Sequence, residues 1–403
     1  MRNKLIISVL CVAFLVLSVL FSCRGAVGRE EPIEVDSTSF RVEVGAADTA
    51  AYFPLIRGRR VALLANHTAL VGEQHLVDLL VECGIRPVAI FSPEHGFRGD
   101  ADAGAVVKGS VDAKTGIPIR SLYDGGTRRP SDEAMNSFDI LLVDMQDVGV
   151  RFYTYYIAML RMMEAASDFD REVIILDRHD PHGSEVDGPI LDMERYRSGV
   201  GALPIPVLHG MTMGELAGMA VGEGWCPPCP LRVVLCRNYT HSTPWSLPVA
   251  PSPNLKSDQA VALYPSLCLF EGTKLSVGRG TDHPFECFGH PALKGVEGFD
   301  FCFIPEDRAG AHSPVLEGQS CYGVDLREVE APRGLQLDYL VAAYRAIGGG
   351  DDFFRPIFEK LIGTDRVRRM VIQGASADEI EASWRSEVEA FLPLRKRYLL
   401  YAE

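Results

Sequence analysis

Between residues 58 and 235, short apolar runs alternate with segments of helical periodicity, and this rhythm restricts the possible fold more than any other feature. Since strands that alternate with helices pair in parallel, we predict an α/β fold with a Rossmann-like, doubly wound, mainly parallel sheet. The runs predict strands at 61–65, 88–91, 117–122, 140–143, 173–176, 205–208 and 231–235. Helices are predicted at 74–83 (closed by Gly84), from Ser131 onward, at 153–166 and from Thr212 to about Val221.

Several classes of function are excluded by motifs that the sequence lacks. No G-x-G-x-x-G follows a predicted strand, and neither a P-loop nor a G-x-S-x-G elbow occurs. We therefore expect a Rossmann-like layout without a cofactor. A net charge of −14, with no block of basic residues, makes nucleic acid an unexpected partner.

Cysteine usage gives no sign of a metal or redox centre. Trp225-Cys226-Pro227-Pro228-Cys229 has thioredoxin-like spacing, but a strand-like run follows where a thioredoxin would have a helix. The two thiols are expected to form a local disulfide or to remain as buried free thiols. No second ligand pair at zinc spacing is present, so we predict no metal site.

The first fifty residues predict export and a lipid anchor. Arg2 and Lys4 precede an apolar run that ends at Phe21, and Ser22 before Cys23 resembles a lipobox. We predict a signal peptide at 1–23 and a tether at 24–50, with Cys23 anchored to a membrane only through its lipid. An uncleaved membrane anchor is the alternative. The folded part is then periplasmic or on the outer membrane.

Ionisable and amide side chains follow five of the predicted strands: Asn66-His67, Glu94-His95, Asp144 to Asp147, Asp177-Arg178-His179 and His209. Because the carboxyl ends of parallel strands meet at one edge, where open α/β sheets bind ligands, we interpret this edge as the functional site. Glu94 beside His95 is a candidate acid/base pair. A charged surface loop is the alternative interpretation.

A second region begins near residue 246. Pro251-Ser252-Pro253-Asn254 predicts a rigid turn that presents an amide. A glycine-rich segment, 270–285, places Glu271, Arg279 and Asp282 where a sugar or a carboxylate ligand could use them. A glycine-rich surface hairpin is the alternative. In the tail, Ser376 to Glu379 predicts the start of the last helix.

Nine stretches carry a resemblance to a known family: LLANHT from 63, SPEHGFRGDADAG from 92, DMQDVGVRFYTY from 144, LDR from 176, DGP from 187, HGMTMGEL from 209, PSPN from 251, FEGTKLSVGRGTDHPF from 270 and GTD from 363. They resemble the bacterial DUF1343 proteins, whose characterised members are exo-β-N-acetylmuramidases of the NamZ type. The similarity spans about residues 58–403. The chain departs from its relatives at 178–183, where they more often have RPNPNG.

The resemblance implies a Rossmann-like catalytic domain, placed at 51–245, and a smaller C-terminal α/β domain at 246–403 that completes a cleft. It implies an exo-acting glycoside hydrolase that releases N-acetylmuramic acid from the non-reducing end of peptidoglycan glycan fragments. Muramyl saccharides derived from peptidoglycan are then the partners, in cell-wall turnover or recycling.

Glycoside cleavage needs a proton for the leaving oxygen and a base or nucleophile on the opposite face. We predict Glu94, beside His95, as the principal catalytic carboxylate and the acid, since the end of an apolar strand raises proton affinity by desolvation. Glu271 and Asp282, across the cleft, are candidates for the second carboxylate. Asp144 is a third.

The lactyl carboxylate of muramic acid calls for a cation in the pocket, and a guanidinium fork suits it. Arg151 and Arg279 are the candidates, with Arg98 third; an ion pair of Arg151 with Asp144 or Asp147 is the alternative. Tyr153 is a further predicted substrate contact. So are Asn66, His209 and Asn254, each with an internal structural role as its alternative.

Three rival functions differ in what they require. A non-catalytic lipoprotein that binds peptidoglycan fragments would bind without turnover. An amidase or esterase would need a nucleophile–base pair, and no Ser or Cys occupies a recognisable elbow. A nicotinamide-dependent glycosidase would need the missing glycine fingerprint.

Overall fold

The computed structural model describes residues 41–93, 97–98, 110–122 and 129–403, with the backbone alone at 110 and 121. The predicted signal peptide, Cys23, Glu94 and His95 lie outside the described residues. Val42–Glu403 form one compact unit. Among the described residues, no helix is both long and apolar enough to cross a membrane.

A seven-stranded sheet forms the centre of the fold, in the order β5-β6-β4-β1-β7-β8-β9. All neighbours in it pair in parallel except β5 and β6, which are antiparallel. Every residue of β1, β4 and β7 is buried, as expected when helices cover both faces of a parallel sheet. The strands are β1 Val61–Ala65, β2 Leu70–Val71, β3 Gln74–His75, β4 Ala89–Ser92, β5 Ser110–Val111, β6 Pro118–Ser121, β7 Ile140–Asp144, β8 Glu172–Leu176 and β9 Leu231–Val234, with the short β2 and β3 forming a separate hairpin.

Twelve α-helices lie in the described part of the chain. They are α1 Thr49–Ile56, α2 Leu76–Glu82, α3 Asp132–Asn136, α4 Tyr155–Asp168, α5 Met193–Tyr196, α6 Met213–Gly222, α7 Asp258–Leu267, α8 Asp338–Ile347, α9 Phe358–Ile362, α10 Arg366–Ile372, α11 Ala377–Ala382 and α12 Arg385–Lys396. The predicted starts at Ser131 and Thr212 are confirmed by side-chain caps, and Thr212 forms a capping box with Glu215.

A smaller antiparallel sheet follows, in the order β10-β12-β11, with strands β10 Cys287–His290, β11 Phe301–Phe303 and β12 Cys321–Asp325. It confirms the predicted α/β fold with a smaller C-terminal domain. One continuous apolar core joins residues from both regions, from Ala62 to Phe391. The domain boundary at 245/246 stays a prediction.

Three local predictions differ from the structure. The apolar run 205–208 is not a strand of the sheet, because β9 already occupies the edge beside β8; Leu208 forms only single bridges, with Val150 and Asp187. Residues 43–50, predicted as tether, join the fold: Glu43 pairs with Arg237, and the Gly45 N–H donates to Asp177 O. Ser376 starts α11, not the last helix, since α12 follows.

Candidate active site

The carboxyl ends of β1, β7 and β8 lie side by side, as predicted from the polar residues that follow them. Ala65 pairs with Asp144 across β1 and β7, and Val143 pairs with Ile175 across β7 and β8. Strand β4 ends beside β1 at Ser92. The side chains that follow these strands therefore meet at one edge of the sheet. His209 is the exception, since no strand of the sheet precedes it.

A chain of hydrogen bonds fixes these strand ends to one another. Asn66 Oδ1 accepts from the N–H and the hydroxyl of Thr68, at 3.0 and 2.6 Å. The Gln146 N–H donates to Thr68 Oγ1 at 2.8 Å, and Gln146 Nε2 donates to His179 O at 2.9 Å. The ends of β1, β7 and β8 are thus held in register by side chains as well as by the sheet.

A buried ion pair joins the ends of β7 and β8. Arg178 Nε and Nη2 donate to the two carboxylate oxygens of Asp144 at 2.6 and 3.1 Å, and Nη2 also donates to Leu70 O at 2.9 Å. The Asp144 side chain is completely buried and that of Arg178 is 3% exposed. Both oxygens of Asp144 are occupied by this fork, so a direct reaction at its carboxylate would require breaking the pair.

Polar atoms at this edge have no hydrogen-bond partner within the described part of the chain, although they are buried. They are Asn66 Nδ2, His67 Nδ1, Gln146 Oε1 and both ring nitrogens of His179. Burial and the neighbouring Arg178 lower the pKa of His179 to about 4, so its ring is neutral at pH 7. Neutral donors and acceptors of this kind suit the hydroxyl and amide groups of a sugar.

Two further carboxyl groups lie buried behind the edge. Burial raises the pKa of Asp147 to about 7, although N–H groups of Gly149 and Tyr156 partly offset it. Burial also raises the pKa of Asp180 well above its usual value. Gly149, at φ +72°, allows this packing, because a Cβ there would lie 2.0 Å from Asp180 Oδ1. These groups therefore add less negative charge than two exposed aspartates would.

The turn at 250–254 connects the sheet edge to the C-terminal region. Its carbonyl groups are held from the sheet side: His67 Nε2 contacts Ala250 O at 2.8 Å, and the hydroxyls of Tyr153 and Tyr155 donate to Pro251 O at 2.8 and 3.0 Å. Asn254 Nδ2 donates to Gly310 O at 2.8 Å. The predicted turn is confirmed. The side-chain amide of Asn254 uses its nitrogen to bind the backbone carbonyl of Gly310.

Next to this turn lies a cavity of about 280 Å³ that brings together four of the predicted site residues: Tyr153, Asn254, Glu271 and Arg279. Apolar and aromatic side chains from both regions complete its wall. The other lining residues are Phe152, Thr154, Val200, Ser252, Leu255, Tyr264, Cys268, Phe285, Ile357 and Leu361. A concave, largely apolar pocket with a few convergent polar groups is typical of a ligand site.

Glu271 and Arg279 are the charged pair of this cavity. Arg279 Nε donates to Glu271 Oε1 at 2.5 Å, each side chain exposes 30% of its surface, and the guanidinium lies 5.1 Å from the Phe285 ring centre. Burial disfavours the charge on Arg279, but the facing carboxylate outweighs this and raises its pKa. No described residue accepts a hydrogen bond from the two terminal nitrogens of Arg279. These two nitrogens are therefore available to bind an anion.

The glycine-rich segment that carries Arg279 is internal, so the surface-hairpin alternative is wrong. Ser276 and Val277 are buried, and Arg279 lies between Gly278 and Gly280, at φ +74° and +80°. A Cβ on Gly280 would approach Glu306 O to 2.4 Å, so only glycine fits there. These glycines turn the chain so that Arg279 points into the cavity.

Two predicted arginines have internal partners instead of lining the cavity. The guanidinium of Arg151 is completely buried and donates to the carbonyl groups of Pro189, Ile205 and Leu361 at 2.7, 2.8 and 2.9 Å. The alternative ion pair of Arg151 with Asp144 or Asp147 is wrong, because Arg178 holds Asp144 and N–H groups bind Asp147.

Arg98, the third cation considered, is bound by two aspartates. Its Nε and Nη2 donate to Asp112 at 2.6 and 2.9 Å, and Nη2 also reaches Asp78 at 3.3 Å. Arg98 therefore has the contacts of a structural ion-pair network.

Asp282 and His209 lie away from the cavity wall. Asp282 exposes 77% of its side chain and pairs with Arg308 at 2.6 Å. His209 is completely buried, its Nδ1 accepts from the Met211 N–H at 3.2 Å, and burial lowers its pKa to about 3.

Sequence reasoning missed the wall formed by Val200, Tyr264, Ile357 and Leu361, because these residues come together only through tertiary contacts. It placed Gln146 and His179 at the functional edge but gave neither residue a role of its own. Their position directly after strands was the available signal.

Cys226 and Cys229 are free thiols, the second of the two predicted states, and burial raises the pKa of both. In the part of the chain that the structure describes, no cluster of His, Cys, Asp and Glu has the geometry of a metal site.

Comparisons with known proteins give one consistent answer. Residues 61–259 match the family model described as exo-beta-N-acetylmuramidase NamZ, N-terminal, and residues 262–401 match its C-terminal counterpart. A Bacillus subtilis (strain 168) protein, peptidoglycan beta-N-acetylmuramidase NamZ, is 36% identical over 370 residues, which cover 87% of this chain and 89% of the relative.

Two solved structures of DUF1343 family proteins from Bacteroides fragilis NCTC 9343 have the same fold. One matches with a TM-score of 0.83 at 50% identity, and the other with 0.77 at 26% identity. Each comparison covers 90% of this chain and 99% of the solved chain.

Proposed function

Because this chain belongs to the NamZ family of exo-β-N-acetylmuramidases, we propose that it releases N-acetylmuramic acid from the non-reducing end of peptidoglycan glycan fragments. The family relationship makes it a glycosidase. The exo action, the residues that carry it and a role in wall turnover or recycling are our proposal. The observation that supports it most is the cavity in which Glu271 and Arg279 face a largely apolar wall.

The chemistry requires two carboxyl groups on opposite faces of the sugar. We assign the acid to Glu94, which lies outside the described residues and follows β4 by two positions. For the second group, three candidates came from the sequence. Asp144 is enclosed in its pair with Arg178, and Asp282 lies on the surface with Arg308, whereas Glu271 lines the cavity. We therefore propose Glu271 as the base or nucleophile.

The proposal is tested by incubating the purified protein with the disaccharide MurNAc–GlcNAc, with and without a chelator and a nicotinamide cofactor. We expect free N-acetylmuramic acid and N-acetylglucosamine under all four conditions, identified by mass spectrometry. Binding of the disaccharide without any product would favour the non-catalytic binding protein. Turnover only with nicotinamide would favour the oxidative rival.

Glu271→Gln should lower kcat/KM for MurNAc–GlcNAc by about a hundredfold or more, since the amide keeps the shape but loses the charge that a base or nucleophile needs. Glu297→Gln, at an exposed position, is the matched control and should keep the wild-type rate. The anomer released by the wild type, followed by proton NMR, separates a nucleophile from a base. A Glu271→Gln enzyme as fast as the control would remove this assignment.

Arg279→Ala should impair a chromogenic β-muramide about ten- to a hundredfold more than the corresponding β-glucosaminide, because a charge-assisted hydrogen bond contributes about 1.5–3 kcal/mol. Only the muramide carries the lactyl carboxylate, so the ratio of the two kcat/KM values isolates that contact. Arg308→Ala, on the surface beside Asp282, serves as control. An equal loss on both substrates would show that Arg279 acts only by positioning Glu271.

A further inference from the structure

A second cavity, of about 250 Å³, is lined like the first by residues of the segment 198–202, and it has no part in the proposed chemistry. Its lining residues are Ile157, Leu160, Arg161, Glu164, Arg197, Ser198, Ala202, Leu203, Trp225 and Cys226. It is nearly as large as the first cavity, at about 280 Å³. The two cavities are therefore of the same scale, that of one sugar residue with its substituents.

The walls of the second cavity combine an apolar floor with charged side chains. Residues 157, 160, 161 and 164 follow the spacing i, i+3, i+4, i+7, so they share one face of α4. Arg161 and Glu164 stand on this face. Arg197 and the half-buried indole of Trp225 stand on other segments of the wall. The guanidinium groups in this wall suit a ligand that carries a carboxylate.

Arg197 is the more available of the two cations. It is exposed, and among the residues that the structure describes none forms an ion pair or hydrogen bond with it. Its neighbour Arg195, by contrast, pairs with Asp365 at 3.0 Å. The guanidinium of Arg197 is therefore available to an anion that enters the second cavity.

A single short segment separates the two cavities. Val200 lines the first, while Ser198 and Ala202 line the second. The segment is fixed in place: the Ser198 N–H donates to Gly201 O at 2.8 Å, and the Ala202 N–H donates to the buried hydroxyl of Tyr156 at 3.1 Å. The segment is thus closed by its own turn and anchored to α4 through Tyr156.

We propose that the second cavity is a subsite for a further muramoyl residue of the same glycan chain, and that Arg197 and Arg161 bind its lactyl carboxylate. This inference rests on the proposed function. In peptidoglycan glycans the carboxylate recurs on every second sugar. Along α4, Leu160 of the second cavity is six residues beyond Thr154 of the first, about 9 Å at the helical rise. This distance along the helix axis, between one lining residue of each cavity, is on the scale of one disaccharide repeat.

The aromatic side chain fits this ligand as well. An indole offers a large apolar face to the ring of a sugar and a single N–H to its hydroxyls. Glu164 can accept hydrogen bonds from the same hydroxyls, and a guanidinium fork matches a carboxylate. The second cavity would therefore give the enzyme a preference for chains of three or more sugars.

The test compares kcat/KM for MurNAc–GlcNAc with that for the tetrasaccharide built from two such repeats. We expect the wild type to prefer the tetrasaccharide about tenfold or more, the effect of one charge-assisted contact. In Arg197→Ala this ratio should fall towards one, and Arg197→Lys should restore part of it. Arg195→Ala, which removes a neighbouring exposed arginine paired with Asp365, is the control and should keep the ratio.

The outcomes separate the subsite from the proposed function. Equal kcat/KM values for the two substrates in the wild type would overturn the subsite and leave the muramidase assignment intact. Equal losses on both substrates in Arg197→Ala would assign the residue a structural role and also overturn the subsite. Absence of hydrolysis of either substrate by the wild type would remove the proposed function, and the subsite with it.

Discussion

Glu94→Gln is expected to lower kcat/KM for MurNAc–GlcNAc by about a hundred- to ten-thousandfold, the usual range for loss of a general acid. The residue follows β4, whose four residues are all buried, and β4 lies beside β1 in the sheet. The side chains at the ends of β1, β7 and β8 are fixed by hydrogen bonds and one buried ion pair, so this edge of the sheet is held in place. A glutamine amide keeps the shape of the side chain but cannot act as a general acid towards the leaving oxygen.

Three measurements keep this prediction decisive. Circular dichroism of Glu94→Gln should match the wild type, and the variant should still bind N-acetylmuramic acid in a calorimetric titration. Glu82→Gln is the control, since Glu82 is exposed at the end of α2. A Glu94→Gln enzyme that hydrolyses the disaccharide at near wild-type rate would transfer the acid role to another residue.

Asp144→Ala should destabilise the protein by about 3–5 kcal/mol, because it leaves Arg178 buried without its counterion. The pair is enclosed, with the Asp144 side chain fully buried and that of Arg178 3% exposed. Urea unfolding measures the loss as a lower midpoint at unchanged slope. Activity should fall as well, since Arg178 also holds Leu70 O beside the strand ends.

The control for this prediction is an exposed pair. Asp168→Ala removes one partner of Arg129, and these two side chains expose 54% and 42% of their surface. It should change the unfolding midpoint little, because exposed ion pairs contribute little to stability. The double variant Asp144→Leu/Arg178→Met should recover part of the loss, since no charge then stays buried. If Asp144→Ala were no more destabilising than Asp168→Ala, the pair would be dispensable.

Much of the fold was predictable because the hydrophobicity of a segment and the spacing of its apolar residues can be read from the local sequence. The strands β1, β4, β7 and β8 are apolar apart from one end residue in each of the last three, as expected of parallel strands covered on both faces. The same rule failed at 205–208. The side chains of Ile205, Val207 and Leu208 are as buried as those of the strands, but they lie in a loop. The Ile205 carbonyl of this loop accepts a hydrogen bond from Arg151.

The candidate site was predictable only in part, since a charged side chain does not reveal its partner in the sequence. Arg279 and Glu271 were both named as candidates, and their contact joins residues only eight positions apart. Arg151 has partners up to 210 residues away, and Arg98 is held by aspartates on other elements. The pairing of charges across the chain is set by the tertiary fold, so the sequence could name the candidates but could not select among them.

The buried guanidinium of Arg151 has a consequence for turnover. Burial lowers its pKa to about 10, so it stays charged at neutral pH, and its hydrogen bonds join Pro189 and Ile205 to Leu361 of α9. Gly363 leaves it room, since a Cβ there would lie 2.6 Å from Nη2. Separation of the two regions would break the hydrogen bond to Leu361 O and let water reach the guanidinium, so this contact opposes a hinge motion during turnover.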